Sequence, residues 1–304
     1  MGVTMMPQHD VSRAARLRQS LAGERIVVAP GIYDMISARL ADRMGFDALY
    51  MTGYGTVASH LGLPDAGLAT YSEMVLRVGQ MAGGTGTPLV ADADTGYGGL
   101  INVQRTVRGY EAAGAAAIQI EDQEMPKKCG HTLGRRVVPL EDMLLKVRVA
   151  LEARRDPDTL IVARTDARTT LGLDEALRRG EAFAKAGADI VFIESPETEE
   201  ELARIGSALG GSAFLLCNVV FDGRTPEIRA DELRKLGFHI AIYPGLAHKA
   251  ATAALHAAYA HLKDARSQLG LDLPLYKSSE MHDLMGFPEV WDFDKRWNVA
   301  EDAN

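Results

Sequence analysis

Cysteine is scarce: two of 304 residues, Cys129 and Cys217, and no CxxC pair. That argues against a thiol-built zinc site or a redox dithiol. Tryptophan is rarer than average, and both copies, Trp291 and Trp297, lie near the C-terminus. No run reaches the roughly 18 apolar residues that would cross a bilayer. The first residues lack the basic region and apolar core of a secretory signal. Met1-Gly2 could begin a myristoylation signal, but position 6 is Met6, not Ser or Thr. We therefore expect a soluble cytoplasmic protein without a disulfide. Positive charge is also short: 33 basic against 41 acidic residues give a net charge of −8, with no Lys/Arg-rich run. Such a chain is a poor partner for nucleic acid, and an anionic ligand would need locally placed cations or a metal. No GxGxxG follows the first predicted strand, which argues against a dinucleotide fold. The glycines at 83, 84 and 86 precede a strand, so they offer no helix N-terminus to phosphate.

What is present is a repeat of apolar runs and helical patterns. An amphipathic helix is expected over residues 9–22. Strands are expected over 25–29, 48–52, 87–92, 116–120, 160–164, 189–194, 213–218 and 239–243, with a turn at 53–55 after the second. Helical patterns cover 35–44 (capped by Asp34), 102–113, 139–154, 174–186, 196–208, 226–236 and 246–262. The strand runs are continuous rather than alternating, so both faces are buried, as in a parallel sheet. Eight such units most simply close into a (β/α)8 TIM-type barrel. We read residues 1–304 as one α/β-barrel domain: the barrel over about 9–262 and a C-terminal helical extension over 263–304. That extension carries Leu275, Tyr276, Phe287, Val290, Trp291, Phe293 and Trp297. So much apolar surface beyond a finished barrel predicts burial against a neighbouring subunit.

In a barrel of this kind the active site forms at the C-terminal strand ends. Here those ends read Thr52, Asp92-Ala93-Asp94, Glu121-Asp122, Arg164-Thr165-Asp166, Glu194, Asn218 and Tyr243-Pro244. Asp92, Asp94 and Glu121 fall on adjacent strands. Carboxylates brought together repel unless a cation neutralises them. Oxygen donors suit Mg²⁺ or Mn²⁺ rather than zinc. Mg²⁺ keeps several waters, so Asp92 is assigned direct contact, with Asp94 and Glu121 acting through water. Arg164 can clamp a carboxylate with its planar fork, or pair with Glu194. Glu194 and Asn218 can hold a hydroxyl or a water.

One loop, residues 121–136, packs Lys127, Lys128, Cys129, Gly130 and His131 between its acids and Arg135-Arg136. A connector has no need of such chemistry, and we expect a reactive lid. Cations beside Cys129 favour its thiolate, making it a candidate nucleophile or general acid. Cys217, inside an apolar run, reads as core. No predicted strand carries a lysine, which sets aside a Schiff-base aldolase.

At these residues the chain resembles the isocitrate lyase/phosphoenolpyruvate mutase superfamily. KKCGH at 127–131 is similar to the signature of its C–C lyase branch. TGYG at 52–55, LGLPD at 61–65, DADTGYG at 92–98 and IEDQ at 120–123 accompany it. The likeness runs over about 10–290 and points to the group of methylisocitrate lyase, 2,3-dimethylmalate lyase and carboxyphosphonoenolpyruvate mutase. It implies Mg²⁺ at Asp92, with Asp94 and Glu121 through water, and substrate carboxylate on the backbone near Thr52, Gly53 and Tyr54. It places Asp65 near the reaction centre and Arg164 on the substrate, supported by Glu194 and Asn218. On the lid, Cys129 would protonate a departing carbanion, with Lys127 and His131 expected to be catalytic beside it and Lys128 and Gly130 to contact substrate, as would Pro244 at strand eight. It also implies a homotetramer that exchanges C-terminal helices. The implied reaction is retro-aldol cleavage of a 2-hydroxy dicarboxylate to pyruvate or a similar 2-oxo acid plus a carboxylate. The rivals are oxaloacetate decarboxylation or C–P chemistry on the same enolate, and a barrel that only binds an oxo acid. One position departs from the tricarboxylate-cleaving pattern. Where those members place a hydroxyl two residues after the strand-seven Asn, this chain has Val220. That favours a smaller or more apolar substrate.

Overall fold

The computed structural model describes residues 11–130, 132 and 134–297. Eight parallel strands close into a barrel in chain order. They are β1 (Val27–Ile32), β2 (Leu49–Met51), β3 (Leu89–Asp92), β4 (Ala117–Glu121), β5 (Leu160–Thr165), β6 (Ile190–Ile193), β7 (Phe214–Asn218) and β8 (Ile240–Tyr243). β1 pairs with β8 through Val27↔Ile240 to Pro30↔Tyr243, so the sheet has no edge. The expected (β/α)8 barrel is the observed fold.

Strand parity divides the core. Leu160 and Val162 of β5, and Ile190 and Phe192 of β6, belong to one buried cluster; their alternates Ile161, Ala163, Val191 and Ile193 belong to another. The first cluster fills the barrel and the second packs beneath the helices, because successive side chains of a strand point to opposite faces. Both faces are therefore apolar, as the continuous runs implied. Helix Arg13–Leu21 adds Ala14, Leu17 and Leu21 to the inner cluster. It thus stoppers the end of the barrel where the strands begin.

Several boundaries differ from the sequence reading. β1 runs on through Pro30-Gly31 to Ile32. Proline is tolerated there in register with Tyr243, and Gly31 is needed because a Cβ would come 2.5 Å from the Pro244 backbone. Residues 53–55 do not form a turn: they open helix Gly53–Leu61 directly after β2. Helix Tyr71–Gly83 escaped the pattern reading, although Thr70 and Glu73 form a capping box at its start. The predicted cap at Asp34 is present, also as a capping box, with Ser37.

The residues fall into two compact units, Met1–His248 and Lys249–Asn304. In the second, helices Ser278–Leu284 and Phe287–Trp297 follow the end of the long helix Leu246–Ala265. His282, Phe287 and Trp291 cluster there, with Phe287 and Trp291 centroids 5.9 Å apart. Trp291, Phe293 and Trp297 nonetheless stay largely exposed. No helix among the described residues is long and apolar enough to cross a membrane.

Leu17 is fully buried at the barrel stopper. Leu17→Ala should cost about 2–5 kcal/mol, the range for emptying a well-packed core position. Chemical denaturation of the two chains checks this, with an unchanged denaturation midpoint arguing against the stopper.

Candidate active site

The inner parity of each strand continues upward into polar residues. Val90 leads to Asp92, Ala117 to Gln119 and Glu121, Val162 to Arg164, Phe192 to Glu194, and Leu216 to Asn218. Each polar residue lies two or four positions beyond an inward apolar one, so all point into the mouth of the barrel. Register brings Asp92 beside Gln119 and Glu121 beside Arg164. Every member of this ring is buried.

On the acidic side, Asp92 Oδ1 accepts the Asp94 backbone N–H at 3.1 Å and Gln119 Nε2 at 3.2 Å. Its Oδ2 lies over Gly53, where a Cβ would come within 2.6 Å. Glycine at the head of helix Gly53–Leu61 thus keeps space open in front of this oxygen. Glu121 Oε1 is buried without a hydrogen-bond partner. Burial pushes the Glu121 carboxyl well above the usual range, against the pull of Arg164. It also pushes Asp94 up to about 6, though Lys127 draws it down. Among the described residues no three His, Cys, Asp or Glu side chains form a ready-made metal cage. The set fits a hard divalent ion that one carboxylate contacts directly and others reach through water: oxygen donors, a carboxylate oxygen facing open space, an unpartnered buried oxygen, and acids whose charge burial disfavours.

Lys127 is not simply a charge beside Cys129. Its side chain is 3% exposed and ion-paired to Asp65 and, at 2.6 Å, to Asp94. Burial opposes its charge, but Asp94, Glu121, Asp65 and Asp92 outweigh that and hold its pKa well above the lysine range. The lid is therefore tied to the acids through Lys127, and Asp65 joins the site through this pair.

Arg164 lies next to Glu121 on the neighbouring strand. Asp166 takes its Nε at 2.9 Å and its Nη2 at 3.0 Å, while Glu121 and Glu194 approach at 3.4 and 3.2 Å. Its guanidinium lies over Phe192, 5.1 Å from the ring centroid. Asn218 Nδ2 donates to Glu194 Oε2 at 3.1 Å. The lid reaches this cluster at Gly130: a Cβ there would come 2.7 Å from Glu194 Oε2 and closer still to Arg164 Nη2. The Gly130 carbonyl lies 2.9 Å from Ser195 Oγ, which donates to it or to Glu194 Oε1 at 3.1 Å. Thus the backbone next to Cys129 sits on the one unit most suited to hold a carboxylate.

The family described as phosphoenolpyruvate phosphomutase matches residues 17–263. The chain belongs to the phosphoenolpyruvate mutase/isocitrate lyase superfamily. It is 50% identical over 280 residues to 2,3-dimethylmalate lyase of Eubacterium barkeri, covering 92% of this chain and 96% of that one. A crystal structure of 2,3-dimethylmalate lyase, described as a member of this superfamily, superposes with a TM-score of 0.88 at 38% identity, covering 97% and 98% of the two chains. Oxaloacetate acetylhydrolase in complex with 3,3-difluorooxalacetate superposes with a TM-score of 0.90 at 35% identity, covering 96% and 99%.

Other residues singled out in this superfamily member fall as follows. Thr52 is buried at the end of β2, its N–H donating to Ile32. The Tyr54 ring stacks on His248 with centroids 5.3 Å apart. Lys128 is exposed and donates from Nζ to the Gly134 carbonyl. Pro244 packs on Gly31 at the β8–β1 seam. Cys129 is partly buried and Cys217 is buried, with its thiol pushed strongly up by desolvation. His131 lies outside the described residues.

Sequence reasoning missed four participants. Gln119 broke an otherwise apolar run, which was a readable signal. Arg135 stood in the singled-out loop without a role, and Ser195 and Arg179 gave no signal. Arg135 is fully buried and shares Asp166 Oδ1 with Arg164, at 2.6 Å. Arg179 pairs with Asp122 at 2.9 Å, and Asp122 in turn accepts the Asp166 backbone N–H and the Thr165 hydroxyl. Asp166 is thus held from three sides.

Gly130→Ala should keep the lid from seating, because its Cβ would strike the Arg164–Glu194 pair. Trypsin should then cut within 124–137 faster than in the unaltered chain, and kcat/KM should drop about a hundredfold, as for a misplaced catalytic element. Unchanged cleavage kinetics would show that the lid accommodates the methyl.

Proposed function

We propose that this chain is a divalent-metal-dependent carbon–carbon lyase that splits a 2-hydroxy dicarboxylate of the 2,3-dimethylmalate type by retro-aldol cleavage. The observation that carries this reading is the lid contact: the residue after Cys129 rests on Arg164 and Glu194, and Arg164 pairs with Glu121 in the same ring of strand ends that carries Asp92. The lid backbone that carries Cys129 thereby reaches the arginine proposed as the carboxylate clamp. The 50% identity to a 2,3-dimethylmalate lyase supports the substrate class. So does Val220, two residues after Asn218, whose side chain has no hydrogen bond to give a third carboxylate.

In this reading Asp92 would hold the cation directly, and Asp94 and Glu121 would act on it through water. Mg²⁺ fits the donors, as does Mn²⁺. Bound there, the ion would supply Lewis acidity to the C2 oxygen and the neighbouring carboxylate. The backbone near Thr52, Gly53 and Tyr54 receives that carboxylate, and Arg164, steadied by Asp166, Glu194 and Asn218, receives the other. Asp65 accepts the proton of the C2 hydroxyl, and the Lys127 ammonium beside it offsets the negative charge. The C2–C3 electron pair leaves with C3 as C2 becomes a carbonyl. The Cys129 thiol delivers a proton to C3, so 2,3-dimethylmalate would give pyruvate and propanoate. Lid seating keeps water from the carbanion until then. The exposed aromatic surface of the second unit supports assembly as a homotetramer exchanging C-terminal helices, which sedimentation analysis would test.

A second reading, cleavage or decarboxylation of oxaloacetate, is favoured by the likeness to oxaloacetate acetylhydrolase. A panel of 2-hydroxy diacids and oxaloacetate, scored for pyruvate, oxalate and CO₂, separates the two. Pyruvate release from 2,3-dimethylmalate, abolished by chelation and restored by Mg²⁺ or Mn²⁺, is the expected result. Cys129→Ala should slow it about 10²- to 10⁴-fold, the usual span for a lost general acid, while cation affinity stays. Full turnover by that variant would remove the thiol from the mechanism.

A further inference from the structure

Asp92 offers two oxygens, and the structure treats them differently. Oδ1 is occupied by two donors, the Asp94 N–H and the Gln119 amide. Oδ2 faces the space that Gly53 leaves open. Gln119 is fully buried, in register with Asp92 on the neighbouring strand and inside an otherwise apolar barrel. An amide buried there is costly unless both its ends are paired. Both are: Nε2 donates to Asp92, and Oε1 accepts the Tyr50 hydroxyl at 3.1 Å. Tyr50 is itself buried one turn of the pleat below Thr52. Burial holds its phenol well above the usual range, so it stays a donor at neutral pH.

The relay has a direction. Were the Gln119 amide flipped, its carbonyl would face the Asp92 carboxylate, oxygen against oxygen. The Tyr50 proton secures the productive orientation from the other end. A neutral amide also fixes a carboxylate without cancelling its charge, unlike Lys127 on Asp94. Asp92 is gripped along its backbone as well, since Tyr110 donates to its carbonyl at 3.3 Å and is joined to Tyr97 at 2.7 Å.

We infer that Gln119, oriented by Tyr50, is a positioning residue that occupies Asp92 Oδ1 and so presents Oδ2 alone to the divalent cation. This rests on the metal reading above. Groups that orient a ligating side chain typically govern metal affinity by about 10- to 100-fold. A merely structural amide would instead change stability equally with and without the ion.

The test uses the full chain, stripped by chelator, with Mn²⁺ as probe: free Mn²⁺ followed by electron paramagnetic resonance, and thermal melts with and without the ion. Gln119→Leu removes the amide, Tyr50→Phe removes one hydroxyl with little effect on packing, and Asp92→Asn is the control for the ligand itself. The expected result is Mn²⁺ affinity about 10- to 100-fold weaker in Gln119→Leu, with a smaller loss in Tyr50→Phe. In both, stabilisation by Mn²⁺ should shrink relative to the unaltered chain. Wild-type Mn²⁺ affinity in the folded variants overturns the inference while leaving the metal reading intact; should Gln119→Leu not fold, Tyr50→Phe decides. If the unaltered chain binds no Mn²⁺, the metal reading falls and takes the inference with it.

Discussion

A carboxylate taken out of water must find a positive partner or give up its charge. The mouth of this barrel buries Asp92, Asp94, Glu121, Asp122, Asp166 and Glu194 together. Most of its architecture answers that demand. Arg164 sits among Asp166, Glu121 and Glu194; Arg135 and Arg179 reach in from the lid and from a helix; Lys127 spans Asp65 and Asp94. The cations are not spread evenly. Asp166 is crowded with donors, whereas Glu121 keeps an unpartnered oxygen and Asp92 an oxygen facing open space. The shortfall lies on the β3–β4 side, where a bound divalent ion would complete the balance.

The same electrostatics join the lid to the chemistry. Lys127, Gly130 and Arg135 each touch a different part of the ring, at Asp65–Asp94, Arg164–Glu194 and Asp166. Two of these contacts are ion pairs between buried groups, and the third is a backbone approach that only glycine permits. The loop's contacts therefore pair buried acids and lie against Arg164 and Glu194 at once. A substrate carboxylate arriving at Arg164 would meet a guanidinium whose orientation Asp166 already sets. Such preorganisation limits the reordering needed as charge develops.

Much of this was legible from residue order. Polar residues ending apolar runs located the ring, because strand parity carries an inward apolar position to an inward polar one two residues later. Asp92, Glu121, Arg164, Glu194 and Asn218 all obey that rule. Gln119 obeyed it too and was passed over, since a glutamine within a run reads as an interruption rather than as a member. Helix Tyr71–Gly83 was likewise readable from its capping box and from the face it buries, Met74, Val78, Met81 and Ala82. The opening of helix Gly53–Leu61 was masked by two glycines, which signal a turn in isolation. Here they are required by close neighbours, Asp92 at one and Tyr33 and Thr52 at the other.

By itself the chain's residue order determined the barrel, the buried polar ring at its strand ends, and the superfamily. Those follow from local rules: the period of two, helix capping and short motifs. Tertiary structure decided how the charges pair. That Lys127 turns to Asp65 across 62 residues, that Arg135 and Arg164 share one carboxylate oxygen, and that Gly130 lies on Glu194 are contacts between distant segments. No local pattern encodes them, because each depends on where barrel closure brings separate strand ends and how far each side chain must reach to leave no buried charge alone.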